Sequence, residues 1–303
     1  MDNTYVMQFR TESEQFVAQT QAYVETMQLY GKPILLPCTA GAQTVYLHEP
    51  GEDVLPTVFE IHGGCFSQGT AANDDAMRQA LSARTGFRVI GLGYRKSTSA
   101  PFPAALEDIF EQICYFVERA EEYHIDVSKL AVWGHSAGGN LACQAAWMGA
   151  QSGKYAMQLL MLDYPYLDVC LDGALRSDEP SGLTAAQLDA MRQVYAPQTN
   201  RSSRWVSPAF ATDSELRQLP PVSMVLCGHD PLAAEDAAFL SRLVQTGGCI
   251  TAQKFERMEH GFLELWYFRE WYLKDTQIPA QMEQDAQRAL EFQARAALQF
   301  MRT

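Results

Sequence analysis

A three-layer α/β sandwich, with a mostly parallel central sheet flanked by helices on both faces, is the fold that this chain of 303 residues predicts. Three observations carry it. Short runs rich in β-branched and aromatic residues alternate with longer segments of helical periodicity. Two of the runs, 157–162 and 222–227, are apolar but for Gln158 and Ser223, as suits strands covered by helices on both sides. A strand-like segment at 129–134 passes into a helix-forming one through the string GHSAG at 134–138, which suits a sharp strand-to-helix turn.

Taken in order, residues 9–27 place Phe16, Tyr23, Val24 and Met27 three or four apart over part of their length, which predicts an amphipathic helix. Preceding the first strand, it can lie over the finished sheet as a lid or pack beside it. Runs 43–48, 57–61 and 87–94, bounded by Gly or Pro, read as the early strands. Leu106, Ile109, Phe110, Ile113, Cys114 and Val117 form a helical stripe introduced by Pro101 and Pro103. A strand at 129–134, a helix from 137 to about 148 and the two apolar runs continue the alternation. A last strand at 250–255 precedes a closing helix marked by Met282, Ala286, Leu290, Ala294 and Leu298. Between Asp168 and Pro208 the rhythm breaks into a polar stretch and a helix at 184–195, opened by the capping pair Thr184 and Gln187. About 40 residues without a strand would struggle to bury a core, so this is an insertion above the sheet within one domain, 1–303.

Composition excludes several functions. Hydrophobic residues make up 47% of the chain, enough for a sizeable core, and the net charge is -13, which repels nucleic acid and anionic membrane alike. No apolar run approaches the ~18 residues of a membrane span, and the first residues lack the pattern of a secretory leader, so the cytoplasm is the expected compartment. Seven cysteines, scattered without C-x-x-C spacing, read as reduced thiols.

The turn at 134–138 would lift Ser136 above the sheet edge and aim a helix N-terminus at the space beside it, making Ser136 the candidate nucleophile. A serine hydroxyl needs a base, and the base needs a carboxylate to fix its tautomer. In such sites the order is serine, acid, histidine, and of six histidines only His229 and His260 follow Ser136. His260 leaves the carboxyl end of the last strand, where a doubly wound sheet places functional groups. His229 adjoins Asp230 and points elsewhere. Asp230 is the candidate acid, Asp163 and Asp168 are alternatives, and Glu235 and Asp236 are capping or supporting carboxylates. The loop HGGCF at 62–66 directly follows a strand; Gly63 and Gly64 leave its N–H groups uncovered for an oxyanion, and Ala137 N–H is a further donor. No metal or organic cofactor is implied.

Together these motifs resemble the hormone-sensitive-lipase-like branch of the α/β-hydrolase esterases over about 57–262. HGGCF resembles the family's HGGGF. Tyr94-Arg95 with PFPAALED at 101–108 resembles YRLAPE...FPAALED. GHSAGG at 134–139 resembles GDSAGG. Ser207-Pro208, DPLAAE at 230–235 (against DPLRDE) and HGF at 260–262 follow in the family's order. The resemblance implies a triad of Ser136, Asp230 and His260, with oxyanion N–H groups from Gly64, Cys65 and Ala137. It also implies a helical cap formed by about 1–30 and 168–208, and a homodimer through the sheet edge.

Three departures stand out: Cys65 replaces a glycine, His135 an aspartate, and KSTS at 96–99 the usual LAPE. The expected function is a serine carboxylesterase acting on small, short-chain acyl esters, with Phe66, Tyr94, Tyr164, Trp205 and Trp266 as candidates for its pocket. An amide-cleaving α/β hydrolase, arylformamidase- or peptidase-like, is one alternative. A non-catalytic binder of small ligands is the other.

Overall fold

The computed structural model describes residues 3–176, 182–274 and 278–302. Its elements, in order, are α1 (Asn3–Val24), β1 (Lys32–Leu36), β2 (Gln43–His48), β3 (Leu55–Ile61), α2 (Asp75–Thr85), β4 (Arg88–Leu92), α3 (Ala104–Glu118), β5 (Ile125–His135), α4 (Ala137–Ser152) and β6 (Leu159–Asp163). After them come α5 (Ala185–Tyr195), α6 (Asp213–Leu216), β7 (Val222–His229), α7 (Ala233–Gln245), β8 (Ile250–Glu259), α8 (Phe262–Tyr267), α9 (Arg269–Tyr272) and α10 (Ala280–Met301).

The strands form one sheet in the order β1-β2-β4-β3-β5-β6-β7-β8. The β1/β2 and β2/β4 pairs are antiparallel and the others parallel, so the carboxyl ends of β3, β5, β6, β7 and β8 lie on one rim. Successive side chains point to opposite faces, and the sheet accordingly divides two cores. Phe59, Ile61, Val132 and Leu160 pack with α3, α4, α5 and α7 through residues such as Ile109, Leu141, Met191 and Phe239. Val58, Ala131, Trp133 and Leu159 pack with α2, α8 and α10 through Met77, Leu81, Phe262 and Leu290. Strands buried on both sides are why the apolar runs show no alternation.

The sequence analysis predicts neither β1, α2 nor the helices α6, α7, α8 and α9. β1 is a largely exposed edge strand interrupted by Pro33, and α2 faces inward through Asp75, Arg78, Ser82 and Thr85 as well as through apolar residues, which blurs its period. The first helix ends at Val24, three residues before Met27, where Thr26 and Met27 N–H close a turn on Tyr23 and Val24 carbonyls. β8 runs on to Glu259, so His260 leaves the strand directly.

α1 packs against α5, while its Phe16 and Tyr23 meet Trp271, Tyr272 and Phe268 of the segment that follows His260. The helix of the insertion opens with a capping box in which Thr184 Oγ1 accepts from Gln187 N–H and the Gln187 side chain returns the bond. Among the described residues no helix is long and apolar enough to cross a membrane. All seven cysteines are unpaired.

Candidate active site

At the rim, β5 turns into α4 within one residue, and Ser136 takes φ 52°, a conformation that costs an L-residue on the order of 1 kcal/mol or more. Two glycines make the turn possible. A Cβ on Gly134 would sit 2.2 Å from Gly138 O, and one on Gly138 would sit 2.0 Å from Ile61 O, against the end of β3. Ser136 N–H donates to Asp163 O at 2.9 Å, and Tyr166 N–H to Ser136 O at 2.9 Å, so the strained residue is held on both sides.

Ser136 Oγ lies 2.7 Å from His260 Nε2, and His260 Nδ1 lies 2.8 Å from Asp230 Oδ2. Asp230 is buried at the end of β7, and its Oδ1 accepts from Leu232 N–H at 2.8 Å, which fixes the carboxylate. Burial disfavours the His260 imidazolium, but the Asp230 charge outweighs it and holds the pKa above the ordinary imidazole value. This arrangement lets His260 take the Ser136 proton and keeps the resulting cation beside a fixed anion.

The loop after β3 closes the other side. Gly63 presents its Cα to Ser136: a Cβ there would lie 3.5 Å from Ser136 Cβ and 3.2 Å from His135 O. Gly64 has φ 106° and its carbonyl accepts from Ser67 and Gln68 N–H, turning the loop back. Those bonds leave the Gly64 and Cys65 N–H groups without an acceptor among the loop contacts of the described residues, and Ala137 N–H is the first orphan donor of α4. His62 clamps the loop. Its Nδ1 is 2.6 Å from Gly63 O, its Nε2 is 2.9 Å from Lys96 Nζ, and its ring stacks on Tyr94 at 4.3 Å. Burial and the Lys96 charge push the His62 pKa well down, while burial brings Lys96 to about 7. The pair therefore suits Nδ1–H donating to Gly63 O.

The cleft between these parts has a volume of about 270 Å³ and is lined by Gly64, Cys65, Ser136, Gly182, Leu183, His260, Gly261, Glu264, Leu265 and Tyr272. The pocket aromatics expected from sequence are elsewhere. Phe66 is fully buried and stacks on Tyr195 at 3.6 Å. Tyr94 faces the back of the loop and donates to His62 O and Gly63 O at 3.1 and 3.2 Å. Tyr164 lies beneath His260, with its hydroxyl on Glu264. Trp205 is covered by Arg204 and Trp266 packs with the α10 core under Arg269. In each case the ring serves packing, a commoner use of aromatics than lining a small site.

The alternative acids are engaged elsewhere. Asp163 accepts from Trp133 Nε1 at 2.6 Å and Gln293 Nε2 at 2.5 Å, and Asp168 Oδ1 caps Cys170 and Leu171 N–H. Glu235 binds the Leu167 and Asp168 N–H groups and Arg176. Asp236 is fully buried, and His229 is exposed at the strand end. Glu264, Tyr272, Leu183, Leu265, Lys96 and the clamping role of His62 escaped the sequence reading. Only Glu264 carried a signal that could have found it, a lone charge within the apolar stretch GFLELWYF.

His135 precedes Ser136 in the chain and is fully buried, with Nδ1 2.9 Å from Asp163 Oδ2 and Nε2 3.5 Å from Glu60 Oε1. Burial lowers its pKa, but Asp163, Glu264 and Glu60 prevail and raise it to about 10. Where the family carries an aspartate, this chain thus holds an imidazolium among carboxylates. Glu60, Asp74 and His135 bring ligand-type atoms within 4.8 Å of one another. They are a poor metal site, because Arg78 Nη1 already sits 2.7 Å from Glu60 Oε2 and the imidazolium fills the remaining place. Because the folded pKa exceeds the unfolded value of 6.5, this cation stabilises the fold fully below about pH 6.5 and ceases to do so as pH rises through about 10. His135→Gln should therefore cost about 3–5 kcal/mol at pH 6, and its deficit against wild type should shrink toward pH 10 in urea unfolding. A deficit independent of pH contradicts the charge assignment.

A family model described as the α/β hydrolase fold matches residues 58–264. The chain is 27% identical over 223 residues to the carboxylesterase NlhH of Mycobacterium tuberculosis, covering 72% of this chain and 70% of that protein. It is 29% identical over 216 residues to an acetyl esterase of Salmonella paratyphi B, covering 70% of this chain and 66% of that one. Among solved structures, the thermostable carboxylesterase EstE1, cloned from a metagenomic library, superposes with a TM-score of 0.79 at 23% identity, over 96% of this chain and 97% of that one.

Proposed function

The chain belongs to the α/β-hydrolase fold family, in its hormone-sensitive-lipase-like esterase branch, and from that membership we propose how its cleft works. The protein is a serine carboxylesterase. One observation supports the assignment of roles: Ser136, His260 and Asp230 are in hydrogen-bonding sequence on the rim, beside a loop whose Gly64 and Cys65 N–H groups have no acceptor among the described residues. Ser136 Oγ attacks the ester carbonyl while His260 Nε2 takes its proton. The tetrahedral oxyanion is bound by N–H groups of Gly64, Cys65 and Ala137, with Gly63 allowing the close approach. His260 then protonates the leaving alcohol, and it later activates the water that releases the acid from Ser136.

The matched relatives bear the names of esterases, which favours ester over amide substrates. α1 and the insertion carrying α5, packed on each other, act as the cap, and the seven free thiols suit a reducing compartment such as the cytoplasm. A cleft of this volume lies just below the usual ~300–1,000 Å³ of ligand pockets and suits short acyl groups. Across p-nitrophenyl esters, kcat/KM should peak between acetate and butyrate and fall about tenfold or more by octanoate, where added methylenes no longer find a pocket. A rate that keeps climbing to octanoate overturns the short-chain reading.

A further inference from the structure

One acid in the cleft has no task in the proposed hydrolysis. Glu264 lies in α8, four residues after His260, and its Oε2 accepts from the Tyr164 hydroxyl, which itself accepts from Leu263 N–H at 3.3 Å. Tyr164 is buried and cannot swing, so the carboxylate is held in one orientation. Its other oxygen, Oε1, borders the same spot as Ser136 across Gly63: the point where a Gly63 Cβ would stand is 3.1 Å from Glu264 Oε1 and 3.5 Å from Ser136 Cβ, and both residues line the cleft.

Among the described residues no Lys or Arg comes within ion-pair distance of Glu264. The His135 imidazolium, which Glu264 helps to hold charged, is buried on Asp163 and Glu60 and does not line the cleft, whose other side chains, Cys65, Leu183, Leu265 and Tyr272, bring no positive charge; the His260 cation is spoken for by Asp230. A fixed anion in a narrow, mostly apolar cleft calls for a cation from outside. Tyr272, its ring stacked on Phe16, adds an aromatic side chain to the lining, a residue type that attracts ammonium groups, and the net charge of -13 draws cations toward the surface. We propose that Glu264, aided by Tyr272, makes this a site for small esters bearing an ammonium group close to the scissile carbonyl, and that it turns away esters bearing a carboxylate there. The inference rests on the esterase reading.

The test compares acetylcholine with its uncharged carbon isostere, 3,3-dimethylbutyl acetate, on the purified full chain. Wild type should favour acetylcholine in kcat/KM by about tenfold, and the ratio should approach one in Glu264→Gln, whose amide oxygen can still accept from Tyr164. Monoethyl succinate should be hydrolysed faster by Glu264→Gln than by wild type. Equal kcat/KM for the charged and neutral esters in wild type overturns the proposal without need of a variant, as does a charge preference that survives Glu264→Gln. Turnover of p-nitrophenyl acetate but not of acetylcholine overturns this inference alone, whereas failure on all of these esters overturns the esterase reading beneath it.

Discussion

Replacing Ser136 by alanine should lower kcat for p-nitrophenyl acetate by about 10⁴-fold or more, leaving only what the oxyanion donors and binding supply. The residue is strained at φ 52° by its turn and gains nothing for the fold by its hydroxyl beyond the bond to His260, so stability should change little or rise. His260→Ala should cost a similar factor, and the double variant scarcely more than either single one, because serine and base act as a unit. A Ser136→Ala enzyme with a tenth of wild-type activity would mean that another group attacks the ester.

Asp230→Asn should lower kcat by about 10³- to 10⁴-fold, since an amide at 2.8 Å from Nδ1 can hold the imidazole in the wrong tautomer and removes the charge that stabilises the imidazolium. The pH profile separates this from simple misfolding. His260 must be neutral to act as a base, and Asp230 holds its pKa above the ordinary value, so the acid limb of kcat/KM in wild type lies at correspondingly high pH. Without the Asp230 charge, burial dominates and the limb should move to lower pH. Asp163→Asn is the natural comparison, because its carboxylate serves Trp133, Gln293 and His135 rather than His260. It should destabilise the protein yet leave the acid limb near its wild-type position. The opposite pattern would reassign the acid.

The parts of this molecule legible in the sequence were those whose chemistry demands a particular residue type at a particular backbone position. Gly134 and Gly138 cannot be anything larger without striking Gly138 O and Ile61 O, so the turn announces itself. Chain order preferred His260 to His229, and the structure has the second exposed at a strand end. Parallel strands covered on both faces were readable as apolar runs with a single polar residue each, Gln158 and Ser223. β1 and α2 were not, one being an exposed edge strand with a proline and the other a helix that buries Arg78 and Asp75 along with its apolar side.

The pocket was the least legible part. Phe66, Tyr94, Tyr164, Trp205 and Trp266 lie near the motifs in sequence, but which way a ring points depends on the packing of several elements at once. The side chains that do line the cleft, Leu183, Leu265 and Tyr272 among them, come from the insertion and from the segment after His260, where no short motif marks them. Lys96 stood out as a departure from the family pattern, yet its place on the His62 ring depends on a loop folding back from β4, which spacing alone does not reveal.

The most direct test of the central claim is to treat the purified chain with a fluorophosphonate and map the adduct by peptide mass spectrometry. The arrangement at the rim predicts one phosphonylated residue, Ser136, with labelling lost in Ser136→Ala and slowed about 10³-fold or more in His260→Ala. An adduct on any other residue, or labelling that persists in Ser136→Ala, would contradict it.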